Sequence, residues 1–180
     1  MKALRDIAVL LVVTAGFTAS LFLFGRQLGY GSPWFALLFM FCFLGWVRLA
    51  RPLFILKMPT GLRAVREWEL RGVLYRRLAV PGFGELLRGT PLRHLQPEVY
   101  LNRHPENPGL VTRELEGAEA AHFWAALLYL PFQVHEFLHH AWTALGWSLL
   151  VQIVGNLYPI LHLRWIRGRL DRVLNRKRRP

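Results

Sequence analysis

One short stretch of this sequence, VHEFLHH, has residue types and a spacing that could bind zinc. His135, Glu136 and His139 form His-Glu-x-x-His, which puts two zinc ligands and a general base on one helical face. A catalytic zinc site needs a third protein ligand. The nearest candidate is His140, and adjacent residues on a helix point about 100° apart. We therefore predict no metal site and no cofactor, and keep a zinc-dependent membrane hydrolase as an alternative.

A second stretch, EGAEAAHFW, places Glu119 and His122 three residues apart, so that on a helix they are neighbours on one face. A histidine beside a carboxylate can remove a proton from a hydroxyl, as a general base does. The alternative is structural, with a helix that starts at the glutamate and a histidine at a membrane surface. On the residues alone, both interpretations stand.

A third stretch, NLYPILHLRWIRGRL, combines an asparagine with a group of arginines. These polar residues are Asn156, Arg164, Arg167 and Arg169. Pro159 cannot donate a backbone hydrogen bond, which predicts a kink that frees the Gly155 carbonyl. An asparagine inside an apolar segment needs a partner or a cavity. The arginines could bind the phosphates of an activated donor, or could serve only as topogenic charges.

The elements that would position these residues are apolar enough to be membrane helices. The chain has 180 residues, of which 53% are hydrophobic, yet its formal net charge is +12. A transmembrane helix needs about 20 predominantly apolar residues to cross roughly 30 Å of hydrocarbon. Four runs approach that length: 6–24, 33–47, 118–134 and 141–163. We predict an all-α integral membrane protein with about four transmembrane helices.

The distribution of lysine and arginine predicts the orientation of these helices. Basic residues concentrate at the N-terminus, in the central segment and after Arg164. The positive-inside rule then places both termini and the central segment in the cytoplasm of a multi-pass cell-membrane protein. A basic tail directly after a span is more typical of contact with anionic lipid than of nucleic-acid binding. The domains predicted are 1–56, a helical pair; 57–117, a cytoplasmic interfacial segment; and 118–180, a second pair with the tail.

The central segment begins with GLRAVREWELRGVLYRRL, which predicts one amphipathic helix on the membrane surface. Its apolar residues include Val65, Trp68 and Val73, with arginines between them. A soluble domain of about 55 residues would have a marginal core by itself. We therefore expect this segment to pack on the bilayer or on the ends of the helices.

Three stretches together resemble the glycosyl-4,4'-diaponeurosporenoate acyltransferase family, over roughly residues 68 to 170. In WELRGVLYRRLAVPGFGELLRG the shared positions are Trp68, Glu69, Gly72, Tyr75 and Val80. In the second stretch they are Ala118, Glu119 and His122, with Glu114 eight residues before the histidine. In the third they are Asn156, Arg164, Arg167, Arg169 and Leu170. One departure is Gly84, where the family more often has lysine.

The resemblance implies an enzyme that esterifies a sugar hydroxyl of a glycosylated carotenoid with a fatty acyl group. His122 would act as the base and Glu119 would orient it. The substrate-binding residues would be Glu69, Glu114, Asn156, Arg164, Arg167 and Arg169. The implied partners are an acyl thioester donor, a lipophilic glycosylated carotenoid acceptor and membrane lipid, with no nucleic acid. A non-enzymatic membrane assembly protein is the second alternative.

Overall fold

The structure is a computed structural model that describes residues 2–50, 57–91 and 108–177, and its regular elements there are helical. The helices are α1 (Lys2–Leu28), α2 (Pro33–Ala50), α3 (Thr60–Arg63), α4 (Glu67–Arg71), α5 (Val73–Arg77), α6 (Val80–Gly89), α7 (Pro108–Leu138), α8 (Trp142–Gln152) and α9 (Tyr158–Lys177). A π-helical turn, Ile153–Leu157, lies between α8 and α9. The all-α prediction is confirmed for these residues. The predicted segment 57–117 includes 92–107, which lie outside them.

Three helical segments of the described chain are long and apolar enough to cross a membrane. They are Leu4–Leu28, Pro33–Ala50 and Trp142–Val173, with mean hydropathies of 2.4, 1.7 and 1.4. The fourth predicted span, 118–134, lies inside α7 and is not among them. The apolar residues of α7 are interrupted by polar ones such as Gln133 and Glu136. The structure therefore supports membrane helices without confirming a count of four.

The chain divides into two compact units, and the first combines Met1–Leu56 with Ala121–Leu157. In it, α2 packs against both α1 and α8. An aromatic cluster joins α2 to α7, because the Phe39 ring lies 4.6 Å from the Phe132 ring and 5.2 Å from the Tyr129 ring. The Tyr129 hydroxyl donates to the Ala36 carbonyl at 3.2 Å. Aromatic pairs of this kind add about 0.5–1.5 kcal/mol each beyond their buried area.

The second unit combines Lys57–Ala120 with Tyr158–Pro180, and its helices α4, α5 and α6 pack on α9. The single amphipathic helix predicted at its start is wrong, because the stretch forms the three short helices α3, α4 and α5. The break between α4 and α5 falls at Gly72, whose φ of +69° is in the left-handed region that glycine adopts at no steric cost. Leu78, after α5, accepts a hydrogen bond from the Tyr158 hydroxyl at 3.0 Å.

The π turn Ile153–Leu157 is the irregular feature of the first unit. Inserted π turns are rare and frequently occur at functional sites. Gly155 within it lies directly against the Met40 sulfur, which leaves no room for a β-carbon. This close packing holds the turn on α2. The turn ends two residues before Pro159, near the position where the sequence predicts a kink, and it buries Asn156 completely.

Candidate functional site: an imidazole on an amide chain and a buried ion network

His122 on α7 is hydrogen-bonded to the π turn of the first unit. Its Nδ1 lies 3.2 Å from Oδ1 of Asn156, and the Gly155 backbone also hydrogen-bonds the imidazole. The prediction that Pro159 frees the Gly155 carbonyl agrees with this contact. An asparagine buried among apolar helices needs a hydrogen-bond partner. For Asn156 that partner is His122.

A chain of amides continues from Asn156 to the backbone of α7. Asn156 Nδ2 donates to Gln152 Oε1 at 2.6 Å, and Gln152 Nε2 donates to the Ala126 carbonyl at 2.9 Å. A backbone carbonyl only accepts hydrogen bonds, so it fixes which end of the Gln152 amide faces it. The direction of every bond in the chain follows from that anchor. Asn156 therefore presents its oxygen to His122, and Nδ1 of the imidazole carries the hydrogen.

Arg164 on α9 is the centre of an ion network in the second unit. Its Nε and Nη2 donate to the two carboxylate oxygens of Glu69 at 2.8 and 2.9 Å. Its Nη1 donates to Glu119 Oε1 at 2.7 Å. The other two hydrogen bonds go to the carbonyls of Leu62 and Ala64. A guanidinium has five N–H donors, so all the donors of Arg164 are engaged within the protein.

The two carboxylates of this network are buried, and each of them is paired with Arg164. The side chains of Glu119 and Glu69 are 0% and 5% exposed. Burial opposes ionisation of Glu69, but hydrogen bonds from Arg164, from the Arg66 backbone N–H and from Tyr75 outweigh it and lower its pKa. Burial, with the adjacent Glu69 carboxylate, raises the pKa of Tyr75. Arg164 therefore ties α4, α7 and α9 together through two buried carboxylates.

Arg167, one turn after Arg164, differs from it because not all of its N–H groups are hydrogen-bonded. Its Nη2 donates to the Arg63 carbonyl, and its Nη1 lies 3.2 Å from Glu119 Oε2 and 3.4 Å from Glu116 Oε1. Its Nε and Nη1 are buried and make no hydrogen bond with the residues that the structure describes. The same side chain lines a cleft of about 380 Å³. Arg167 is therefore less completely hydrogen-bonded than Arg164, although the nitrogens concerned are enclosed by the protein.

The sequence was also compared with known proteins. A family model described as glycosyl-4,4'-diaponeurosporenoate acyltransferase matches residues 59–176, which is more than half of the chain. The chain belongs to this family. The match confirms the resemblance seen in the sequence, and it makes the protein a member of an acyltransferase family that modifies carotenoid glycosides. No curated protein and no solved structure matches the chain.

The structure shows where the site residues predicted from the sequence lie. Glu69, Glu119, Arg164 and Arg167 share one ion network, and His122 and Asn156 share one hydrogen bond. Arg169 is exposed, with its guanidinium 4.9 Å from the centre of the Trp165 ring. Glu114 is partly buried on α7, and its substrate role stays a prediction. In the structure Glu119 pairs with Arg164 and Arg167. Its predicted role of orienting His122 therefore also stays a prediction.

In the His-Glu-x-x-His motif the two histidines lie together at the surface, and the glutamate points into the protein. Glu136 is buried and accepts a hydrogen bond from Ser148 at 2.6 Å. His135 and His139 are exposed, with their ring centres 4.2 Å apart. Within residues 2–50, 57–91 and 108–177, no group of three metal-ligating side chains comes together. The zinc-hydrolase alternative is therefore unsupported.

Two residues of the acyltransferase were missed by sequence reasoning. Gln152 lies one helical turn before Asn156, and that spacing of two amides in an apolar run was the available signal. His162 is buried beside Gly84, where its imidazole fills the space that a β-carbon would need. The departure from the lysine common in the family at that position thus has a steric reason. A side chain at residue 84 would displace His162.

Proposed function

We propose that this protein is an integral membrane O-acyltransferase that moves a fatty acyl group from an acyl thioester to a sugar hydroxyl of a glycosylated carotenoid. The family match supports the reaction and the substrate class. The three apolar helical segments support a membrane location. The observation that carries the proposal is the oriented imidazole of His122, because a general base needs one nitrogen with a free lone pair.

The amide chain decides which nitrogen of His122 is basic. Nδ1 carries the hydrogen and donates it to Asn156, so Nε2 has the lone pair. Nε2 removes the proton from the sugar hydroxyl as its oxygen attacks the thioester carbonyl. The imidazolium formed at that moment is stabilised by Asn156 Oδ1 and by the Gly155 backbone. Asn156 is therefore the residue that orients the base, and Gln152 holds Asn156.

The same histidine returns the proton that it removed, which balances the reaction. A new carbon–oxygen bond forms as the carbon–sulfur bond breaks, and the leaving thiolate takes the proton held on Nε2. The products are the acyl ester of the glycoside and a free thiol. No step is assigned to Arg164, because each of its five donors already has an acceptor in the protein. Its role in this proposal is to hold the second unit together.

The topology in the proposal follows from the charge pattern of the chain. Both termini and the segment after α2 lie in the cytoplasm, and α7 provides the fourth crossing together with the three apolar segments. The acyl donor would then reach the enzyme from the cytoplasm. The carotenoid chain would remain in the bilayer, because a long apolar substrate partitions there.

The test is acyl transfer by the purified protein in lipid nanodiscs. The substrates are an acyl thioester and glycosyl-4,4'-diaponeurosporenoate, and both products are followed. We expect one free thiol for every acyl ester formed. A control reaction contains the unglycosylated carotenoid acid, which lacks the sugar hydroxyl and should give no ester. Thiol release without ester would show a thioesterase instead, and absence of both products with folded protein would contradict the proposal.

A further inference from the structure

We propose that the exposed side of α5 and α6 in the second unit lies on the membrane surface and binds anionic lipid headgroups. This inference rests on the membrane location in the proposed function and does not depend on the acyl-transfer step. The α5–α6 surface is defined by six exposed residues: Val73, Arg76, Arg77, Leu78, Leu86 and Arg88. Large apolar side chains next to arginines are typical of a segment that lies in a bilayer interface.

The two helices turn apolar side chains away from the protein. α5 buries Tyr75, whose side chain is 1% exposed. Because successive residues of a helix are about 100° apart, Val73 and Arg77 point to the side opposite Tyr75. Val73 is 47% exposed, and Leu86 on α6 is 64% exposed. Exposed apolar side chains grouped with charged ones mark a contact surface, either for another protein or for a membrane.

The position of this surface along α9 favours the membrane. The apolar run that includes the start of α9 ends at Leu163, directly before the first arginine of that helix. The Tyr158 hydroxyl bonds the Leu78 carbonyl at 3.0 Å, and His162 lies against Gly84 of α6. The end of α5 and the middle of α6 therefore lie beside the last turns of the apolar run.

The helices α3 and α4 contact α9 further from the apolar run. Glu69 of α4 binds Arg164, and the Arg63 carbonyl at the end of α3 binds Arg167. At about 1.5 Å per residue, Arg167 lies roughly 13 Å beyond Tyr158 along the helix. Of the short helices, α6 is thus at the level where the membrane-spanning run ends, and α3 lies beyond it. Lipid headgroups are the chemistry found at that level of a span.

The charge of the surface favours anionic headgroups. The exposed charged residues of α5 and α6 are three arginines and one glutamate, Glu85, which gives a net charge of +2. Among the residues that the structure describes, Arg76, Arg77 and Arg88 have no ion-pair partner. Arginine side chains near a membrane surface attract anionic lipid. They can bury their apolar stems in the interface while the guanidinium binds a phosphate.

The first measurement locates the surface relative to the bilayer. A fluorophore is attached to Leu86→Cys in the full-length protein with Cys42→Ala, in nanodiscs of phosphatidylcholine and phosphatidylglycerol. Quenching by lipids brominated on their acyl chains reports contact with the bilayer. We expect Leu86→Cys to be quenched, and Thr60→Cys, which is exposed on α3, to remain unquenched. A label at Val12→Cys, 72% exposed on the apolar helix α1, reports that the protein has inserted.

The second measurement tests the headgroup preference. The bromine is carried by phosphatidylglycerol in one series and by phosphatidylcholine in the other, and the label stays at Leu86→Cys. We expect stronger quenching by the anionic lipid. Replacing Arg76 and Arg77 by glutamine should lower this preference by up to about 5-fold for each arginine, since one basic residue near an anionic surface contributes on that order.

Arg113→Gln is the matched control for loss of a positive charge. Arg113 is an exposed arginine of α7 and lies three residues before Glu116, which pairs with Arg167. Because Glu119 pairs with Arg164, the order of these contacts places Arg113 still further from the apolar run. We expect Arg113→Gln to keep the preference for phosphatidylglycerol at Leu86→Cys.

Three outcomes would overturn the inference. The first is no quenching at Leu86→Cys in protein whose Val12→Cys label is quenched, and the second is equal quenching by the two lipids. The third is quenching at Leu86→Cys that is lost when each nanodisc holds two copies instead of one, which would show that the surface binds protein. If the Val12→Cys label were also unquenched, the membrane location in the proposed function would fail as well. Because acyl transfer is not the readout, failure of the reaction remains a separate result.

Discussion

Replacement of Arg164 by methionine tests whether the ion network holds the second unit together. Methionine is similar in length but has no donor, so Arg164→Met leaves Glu69 and Glu119 without the guanidinium that both of them bind. The three side chains are 11%, 5% and 0% exposed. Removing one partner of a buried ion pair costs about 3–5 kcal/mol. For a chain of this size each kcal/mol lowers Tm by about 2–4 °C, so we expect a decrease of roughly 6–20 °C.

The assay is thermal unfolding in detergent at one scan rate, followed by tryptophan fluorescence. Arg169→Met is the matched control, because it removes an exposed arginine of the same helix whose stacking on Trp165 is worth about 0.5–1 kcal/mol. A second variant combines Arg164→Met with Glu69→Gln and Glu119→Gln, and it should recover much of the loss because no buried carboxylate is left unpaired and Arg167 keeps its ion pair with Glu116. If Arg164→Met unfolds at the temperature of the control, the reasoning about the network is refuted.

Three further predictions concern the base, the acid limit and the topology. Gln152→Leu should lower kcat by about 2-fold to 10-fold, and ¹⁵N NMR should show that Nδ1 of His122 is no longer the only protonated nitrogen; unchanged ¹⁵N shifts would contradict the amide chain. The lowered pKa of Glu69 contributes stability that is present above its unfolded pKa of about 4.3 and is lost as the pH falls through the folded value. Glu69→Gln should therefore flatten the acid side of a Tm-against-pH curve. An unchanged slope would show that other groups cause the loss of stability at acid pH. In a cysteine-free background, a cysteine at Gly29 should react with an impermeant reagent from outside and one at Gly89 only from the cytoplasm, and the reverse pattern would invert the topology.

The helices and the family could be predicted from the sequence because both depend on local sequence patterns. Apolar runs define the membrane segments, and the match over 59–176 confirms the motifs that point to the family. The prediction of one long amphipathic helix was wrong because residues 64–66 and Gly72 separate successive short helices. The spacing of apolar residues does not reveal these breaks. The fourth span is not confirmed because the apolar run in the middle of α7 is short and is followed closely by Gln133 and Glu136.

The partners of the site residues could not be predicted, because they lie far apart in the chain. Local spacing suggested Glu119 as the partner of His122, but a buried carboxylate is stabilised most by arginines, and Arg164 comes from 45 residues further along. His122 is 34 residues from Asn156, its partner in the structure. The same holds for Gly84, whose lack of a side chain is explained by His162 on a later helix. Spacing in the sequence finds candidates, whereas long-range packing assigns their contacts.

The most direct test of the central claim is acyl transfer by His122→Ala, compared with His139→Ala, at equal amounts of folded protein in nanodiscs. His139 is an exposed histidine directly after the end of the same helix and belongs to the zinc-like motif, so it controls for the loss of an imidazole. The account predicts that His122→Ala loses about 100-fold to 10,000-fold in kcat, as removal of a general base does, and that His139→Ala remains near the wild-type rate. Near-normal turnover by His122→Ala would contradict it, and so would loss of activity in His139→Ala that zinc restores.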